Sequence, residues 1–252
     1  MKRKILLILL TVSGLVYVIP IAITLMKSLQ YDNHKLTIRQ YAELLIANNA
    51  ALGYFWNSLL YAGFITVFCI LLSFPLGFLF AKVRFPGRDT IFFIYIVVML
   101  LPFQATLLPN YIQLRDLKLL NTPYALVLPM IFSPFAVFLF RQFIMGISDE
   151  ILEYTTLETS SVWKMMVYVV IPQLKPAIAA LSILIFCESW NMVEQAIIFA
   201  SESPDILPLS VVLNNLPEDI TFAGSVIYMY PVLVVFLLFR NTLQNSMEKF
   251  RW

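Results

Sequence analysis

The sequence predicts an all-α, polytopic membrane protein with six transmembrane helices. Three observations carry that prediction. Of 252 residues, 60% are hydrophobic and 13% charged, whereas a soluble domain of this length carries about twice that charged fraction. Six stretches reach or approach the roughly 20 apolar residues that a helix needs to cross a bilayer core. Lys and Arg are distributed unevenly among the segments between them. The spans are expected to be helical, because a helix satisfies its own backbone donors and acceptors where water is absent.

Taken in order, the first stretch, Ile5 to Met26, carries no charge. Lys2-Arg3-Lys4 before it gives the appearance of a signal peptide, but the apolar run is too long and no clean small-x-small site follows, so it is read as a span. Asn57 to Ala81 is the second stretch, Ile91 to Pro109 the third and Pro123 to Phe140 the fourth. The fifth, Ala177 to Ala200, is interrupted by Glu188 and Glu194, and the last, Phe222 to Phe239, is the weakest by length. Pro20, Pro75, Pro102, Pro109, Pro123, Pro129, Pro134 and Pro231 fall within or beside the spans. Each removes a backbone donor and can bend a helix.

Orientation follows from the basic residues. With the N-terminus cytoplasmic, Lys2, Arg3, Lys4, Lys82, Arg84, Arg88, Arg141, Lys164, Lys175, Arg240, Lys249 and Arg251 lie inside. These are twelve of the 17 basic residues. Lys27, Lys35, Arg39, Arg115 and Lys118 lie outside. Both termini are then cytoplasmic. The acidic loop Ser201 to Thr221, with Glu202, Asp205, Glu218 and Asp219, is external.

Several chemistries are excluded by residue type. Cys69 and Cys187 both sit in apolar runs and read as packed small hydrophobes rather than a disulfide. One histidine, His34 in a polar loop, with two distant cysteines makes no metal site. There is no Gly-x-x-x-x-Gly-Lys loop and no Ser/His/Asp arrangement. If ATP drives this protein, another subunit binds it.

The cytoplasmic segment Asp149 to Pro176 is the most informative one. Ser148 is placed to cap a helix with Asp149 and Glu150 in its first turn, where the macrodipole favours negative charge. Thr159-Ser160-Ser161 interrupts it and offers oxygens to cap a second piece, Val162 to Ile171, which starts near Trp163 and is closed by Pro172 and Pro176. Two short helices meeting at an angle form a knob that suits a soluble partner. An amphipathic loop on the lipid surface fits the same composition.

This segment resembles the EAA loop of ABC importer permeases, Glu-Ala-Ala-x-x-(Asp)-Gly-Ala followed by an apolar run and Leu/Ile-Pro-x-x-x-Pro. Glu153 stands at the Glu, Glu158 at the acidic position, Ser160 at the small residue after Gly, and Trp163 at the aromatic. Ile171-Pro172 and Pro176 match the end. Tyr154, Thr155 and Thr159 stand where the pattern has Ala, Ala and Gly. Asn57-Ser58, Arg84-Phe85-Pro86-Gly87-Arg88, Leu101-Pro102-Phe103-Gln104, Leu108-Pro109-Asn110-Tyr111, Leu119-Leu120-Asn121-Thr122, Phe138 to Phe143 and Ser189-Trp190-Asn191 extend the resemblance. They point to the carbohydrate-uptake, maltose and glycerol-phosphate type, binding-protein-dependent subfamily. The C-terminal tail, Asn241 to Trp252, lacks the glycine usual there.

The resemblance implies a single permease domain over residues 1–252 in a prokaryotic plasma (inner) membrane, with residues 147–176 as its coupling loop. It implies a second homologous permease, two ATPase subunits that hold ATP and Mg, an extracytoplasmic solute-binding protein and a lipid bilayer as partners. No nucleic acid and no cofactor in this chain are implied. Glu150, Glu153, Glu158, Thr159, Ser160, Trp163 and Pro172 become candidates for the ATPase joint, and the permease itself performs no covalent chemistry.

Glu188 is the sharpest residue elsewhere, since a carboxylate inside a span normally faces a cavity, a partner or a basic group. Asn191 and Gln195 follow at i+3 and i+7 and predict one polar stripe on the fifth span. Amides and carboxylates suit sugar hydroxyls, while the same stripe can instead hold this helix to a partner subunit. Trp190 offers a stacking face off that stripe, and Gln104, between two prolines, is a further pathway candidate. Transport of a sugar or oligosaccharide, of another nutrient such as a polyol or glycerol phosphate, and ion-coupled carriage or a channel using the two acidic residues of one span are the functions these residues allow. The absence of basic residues from the spans as drawn favours a neutral solute.

Overall fold

A computed structural model describes residues 2–31, 35–47 and 49–249. The chain is an all-α, polytopic membrane fold. Helix α1 (Lys2–Ser28) leads into a small antiparallel hairpin, β1 (Gln30–Tyr31) and β2 (Lys35–Leu36). The position expected for His34 lies outside the described residues, as do the last three residues of the tail. Then come α2 (Arg39–Ala42), a π-turn at Glu43–Ala47, and α3 (Asn49–Lys82). After it follow α4 (Arg88–Met99), α5 (Phe103–Asp116), α6 (Pro123–Ile131) and α7 (Pro134–Met145). The segment expected to be cytoplasmic comprises α8 (Asp149–Glu158), α9 (Val162–Met165), a π-turn at Met166–Val170, and α10 (Ile171–Gln173). The chain ends with α11 (Lys175–Trp190), α12 (Glu194–Phe199), α13 (Leu209–Val212) between two 3-10 turns, and α14 (Glu218–Lys249).

Among the described residues, four segments alone are long and apolar enough to span: Leu9–Ser28, Ala51–Lys82, Pro123–Met145 and Glu218–Thr242. Two bent pairs bring the number to as many as six. The third predicted span is therefore not a straight rod, while the bend of the second pair falls at Leu174, before the predicted fifth span. Arg88–Met99 and Phe103–Asp116 meet at 99°. The break is at Pro102, which is extended (φ −62°, ψ 141°) before α5, and a proline lacks the donor to carry a helix through. The fourth span is interrupted at Phe132–Ser133, and Pro134 starts α7 with Ser133 accepting from the Ala136 amide at 3.3 Å. A residue before proline is driven toward extended backbone, which explains the stop. The fifth span stops at Trp190 rather than running to Ala200. The sixth, expected to be the weakest by length, is a 32-residue helix because its polar ends are also helical.

α3 is the central pillar. Its 34 residues are about 51 Å of helix, longer than the roughly 30 Å hydrocarbon core. It packs on α7, α11 and α6. Gly77 sets the α3–α7 approach: a Cβ there would lie 2.5 Å from the Phe140 Cβ and 3.1 Å from the Arg141 amide nitrogen. Small residues let membrane helices come this close, where van der Waals contact replaces the hydrophobic effect as the driving force. Phe140, Ile65, Leu126, Ile144 and Leu181 fill the core around it. By contrast α1 is bare over most of Leu9–Ser28 and packs on the body through α14. There Gln40 bonds the Lys27 carbonyl at 2.8 Å and accepts from the Ala223 amide.

Candidate functional site

The chain presents two candidate functional surfaces, one concave and one convex. The concave one is a cavity of about 760 Å³ walled by the end of α4, by α5, α6, the start of α7, and α11 with α12. The two proline breaks make it. At Pro102 the chain turns away from α4, and at Phe132–Ser133 it opens between α6 and α7, so that unwound and newly started turns face a common space. α5 contributes Thr106, Asn110 and Gln113, spaced four and three residues apart and hence on one helix face. Phe103, Phe132 and Phe135 add exposed aromatic surface. Glu188 enters from α11 and Gln195 from α12.

The predicted polar stripe on the fifth span is not continuous. Helix α11 ends at Trp190, and Asn191, with φ −90° and ψ 17°, is its C-cap. Of the stripe, Glu188 and Gln195 reach the cavity, and Gln195 is buried with its Nε2 donating to the Met130 sulfur. Asn191 turns the other way. It donates to the Cys187 carbonyl at 2.7 Å and accepts from the Tyr228 hydroxyl at 2.8 Å. Trp190 is fully buried, stacks on Phe186 at 5.8 Å and donates to the Tyr228 carbonyl at 3.1 Å. Trp190 and Asn191 thus fasten α11 to α14 and do not line the cavity. Gln104 is also off the cavity wall; its Nε2 lies 3.4 Å from the Glu194 carboxylate, bridging α5 and α12.

The end of the bundle at the start of α3 is closed by polar contacts. Asn57 donates to the carbonyls of Asp205 and Leu207 at 2.8 and 3.2 Å, Tyr61 donates to that of Ile206 at 3.0 Å, and Ser58 accepts from the Leu209 amide at 2.7 Å. The start of the second span therefore anchors the acidic loop. Asn121, in a left-handed turn (φ 60°), bonds reciprocally with Glu202, donating to its carboxylate at 3.2 Å and accepting from its amide at 3.0 Å.

The convex surface is the segment from α8 to α10. Helices α8 and α9 meet as a knob, and the Val162–Gln173 run lies at 80° to α11. Ser161 caps α9 by accepting from the Lys164 amide, as expected. Ser148 occupies the N-cap of α8, but its side chain makes no capping bond. The start of α8 is held instead by Lys82, whose Nζ donates to the Ile147 carbonyl at 2.7 Å and to Asp149 at 2.6 Å. Lys82 beside it holds the Asp149 carboxyl below the usual carboxylate range. Pro172 does not end the second piece. The helix continues to Gln173 because the π-turn at Met166–Val170 widens the ladder just before the proline, and the chain breaks at Leu174. Pro176 sits in the first turn of α11, where its missing donor costs nothing.

Glu150, Glu153, Glu158, Ser160, Trp163 and Pro172 are all exposed on this element, and Thr159 is half-buried. Leu157 is 83% exposed, Tyr154 71% and Trp163 65%, so the tip is apolar as well as acidic. Sequence reasoning missed Lys82 and the wall residues Thr106, Asn110, Gln113 and Ser133. The periodic Thr106, Asn110 and Gln113 face was visible in principle, but treating 91–109 as one straight span hid it.

Residues 73–249 match the family whose description is "Binding-protein-dependent transport system inner membrane component". The arabinooligosaccharides transport system permease protein AraQ of Halalkalibacterium halodurans is 27% identical over 219 residues, 85% of this chain and 78% of that protein. Its counterpart in Bacillus subtilis is 29% identical over 221 residues, with the same coverage. The sn-glycerol-3-phosphate transport system permease protein UgpE of Brucella abortus is 34% identical over 136 residues, 54% of this chain and 48% of that protein. The fold is similar to that of a chain in the crystal structure of a bacterial ABC transporter involved in the import of the acidic polysaccharide alginate. That similarity has a TM-score of 0.82 at 21% identity, over 93% of each chain.

Proposed function

We propose, for a chain that belongs to the binding-protein-dependent transport system inner membrane component family, that it forms half of the translocation pathway of an ATP-driven importer for a sugar or oligosaccharide. The observation that carries this reading is the cavity: amides and hydroxyls of Asn110, Gln113, Thr106 and Gln195, a carboxylate from Glu188, and aromatic surface from Phe103, Phe132 and Phe135 face one space. Sugars present donors and acceptors around an edge and apolar C–H faces, and a site for them needs both kinds of surface. A second, homologous permease would complete the pathway. An extracytoplasmic solute-binding protein would deliver solute to the outer end, where the Asn57-anchored loop lies. Both termini and the knob are assigned to the cytoplasmic side by the Lys and Arg bias.

Residues 147–176 act in this reading as the coupling loop. Two partner ATPases bind ATP and Mg, and one holds the knob through Leu157, Trp163 and the carboxylates of Glu150, Glu153 and Glu158. Closure of the ATPase pair then moves α8 and α9, and Lys82 passes that movement to α3. The nucleotide can drive transport only if the inward- and outward-open states hold the knob with different free energies. This chain supplies the path and the lever; hydrolysis belongs to the partner.

The test is affinity purification of the chain from its native cell in mild detergent, with mass spectrometry of what accompanies it and ATPase assays with candidate solutes. Recovery of a second permease and an ATPase whose activity rises with a neutral oligosaccharide is expected. Recovery of this chain alone, intact and folded, would overturn the reading.

A further inference from the structure

We propose that Glu188 makes this cavity a charge filter, one that admits neutral solutes and turns anionic ones away. The inference rests on the transport reading above and sharpens its substrate class. Glu188 is the one charged side chain among the described residues that line the cavity. It is exposed to that space. No described lysine, arginine or histidine bonds it or shares the wall. Asn110, Gln113, Thr106, Ser133 and Gln195, the polar groups around it, are all neutral. The rest of the wall is apolar, and low-dielectric walls focus the field of a lone charge along the space they enclose. A neutral sugar meets this carboxylate as an acceptor for its hydroxyls. A uronate or a sugar phosphate meets a like charge with no counter-charge beside it.

The filter is read directly by thiol chemistry in the assembled importer. Cys69 and Cys187 are replaced by serine, and Gln113→Cys places a single reporter thiol on the cavity wall. Its reaction rates with a trimethylammonium-bearing and a sulfonate-bearing methanethiosulfonate are then compared. The cationic reagent should be favoured, and Glu188→Gln should reduce that preference about tenfold, the size of effect that 1.4 kcal/mol produces. Glu188→Asp should keep it, and a Tyr168→Cys reporter on the exposed knob should not respond to either change. A preference that Glu188→Gln leaves unaltered overturns the filter. ATP-dependent uptake of a neutral arabino-oligosaccharide and of the same oligomer oxidised to a terminal uronate separates the two levels of inference. Uptake of the neutral form with an unaltered reagent preference keeps the transport reading and sinks the filter. A shifted preference with uptake of neither sugar keeps the filter and sinks the sugar reading.

Discussion

The cavity and the knob differ in how they are built. The knob is a continuous stretch of chain, Asp149 to Gln173, whose working surface is exposed and whose tie to the helix bundle includes the Lys82–Asp149 pair. The cavity is assembled from α4, α5, α6, α7, α11 and α12, and it exists only because those helices break and pack as they do. A local surface should tolerate distant changes and fail to local ones. An assembled cavity should do the reverse.

The largest expected effect tests the assembled side. Gly77→Leu inserts a side chain where Phe140 Cβ is already 2.5 Å from an added Cβ. Backbone must move, so the cost exceeds the roughly 1–3 kcal/mol of ordinary overpacking. Folded protein in detergent should fall sharply, with Gly77→Ala intermediate. An unshifted unfolding midpoint for the leucine variant would show that the α3–α7 contact does not hold the cavity wall.

Next in size is the tip of the knob. Leu157 is 83% exposed in the isolated chain, and burying a leucine contributes about 1.5–3 kcal/mol. Leu157→Asp should therefore lower uptake by about tenfold or more and release the ATPase in pull-downs, while the permease itself keeps its unfolding midpoint. Retained ATPase would break the comparison on the knob side. Glu158→Ala should cost less, a severalfold fall in uptake, since a charged contact at an interface rim is partly screened. Normal expression with an unchanged uptake rate would remove Glu158 from the joint.

The smallest effect concerns the tie between the two regions. The Asp149 carboxyl is held below its ordinary range by Lys82. A depressed carboxylate stabilises the folded arrangement fully above its unfolded pKa, and that contribution disappears as pH falls through the lower folded value. Hydrogen-exchange protection over 149–158, taken relative to the intrinsic exchange rate at each pH, should thus be flat near neutrality and fall only in acid. Asp149→Asn should show the lower protection at neutral pH and lose the acid response. Because Asp149 is exposed, the shift is expected to be modest. Identical acid profiles for both proteins would mean that something other than Lys82 secures α8.

The knob is legible in the linear sequence for a physical reason. Its cues are short-range: an acidic first turn, a Ser161 cap, an apolar run and prolines, each acting on backbone within a few residues. Even there, Pro172 misleads, because a π-turn one step earlier relieves the clash that a proline imposes on an ordinary helix. Glu188 and Gln195 are also legible, as polar groups out of place in apolar runs. Trp190 and Asn191 resemble pathway residues for the same reason, yet Tyr228 on α14 claims both. Thr106, Asn110 and Gln113 escape notice because a linear pattern does not announce the right-angled break at Pro102.

By its composition, apolar run lengths and motif spacing, the sequence alone determined that this chain is a helical membrane protein, and the family match agrees. Those properties depend on residues near one another and on the cost of leaving backbone polar groups in lipid. Only the tertiary structure decided which polar groups share the cavity, that Lys82 holds the knob, and that Gly77 sets the helix spacing. Helix breaks and crossing contacts between residues far apart in the chain choose which way each side chain faces, and a linear pattern carries no record of that choice.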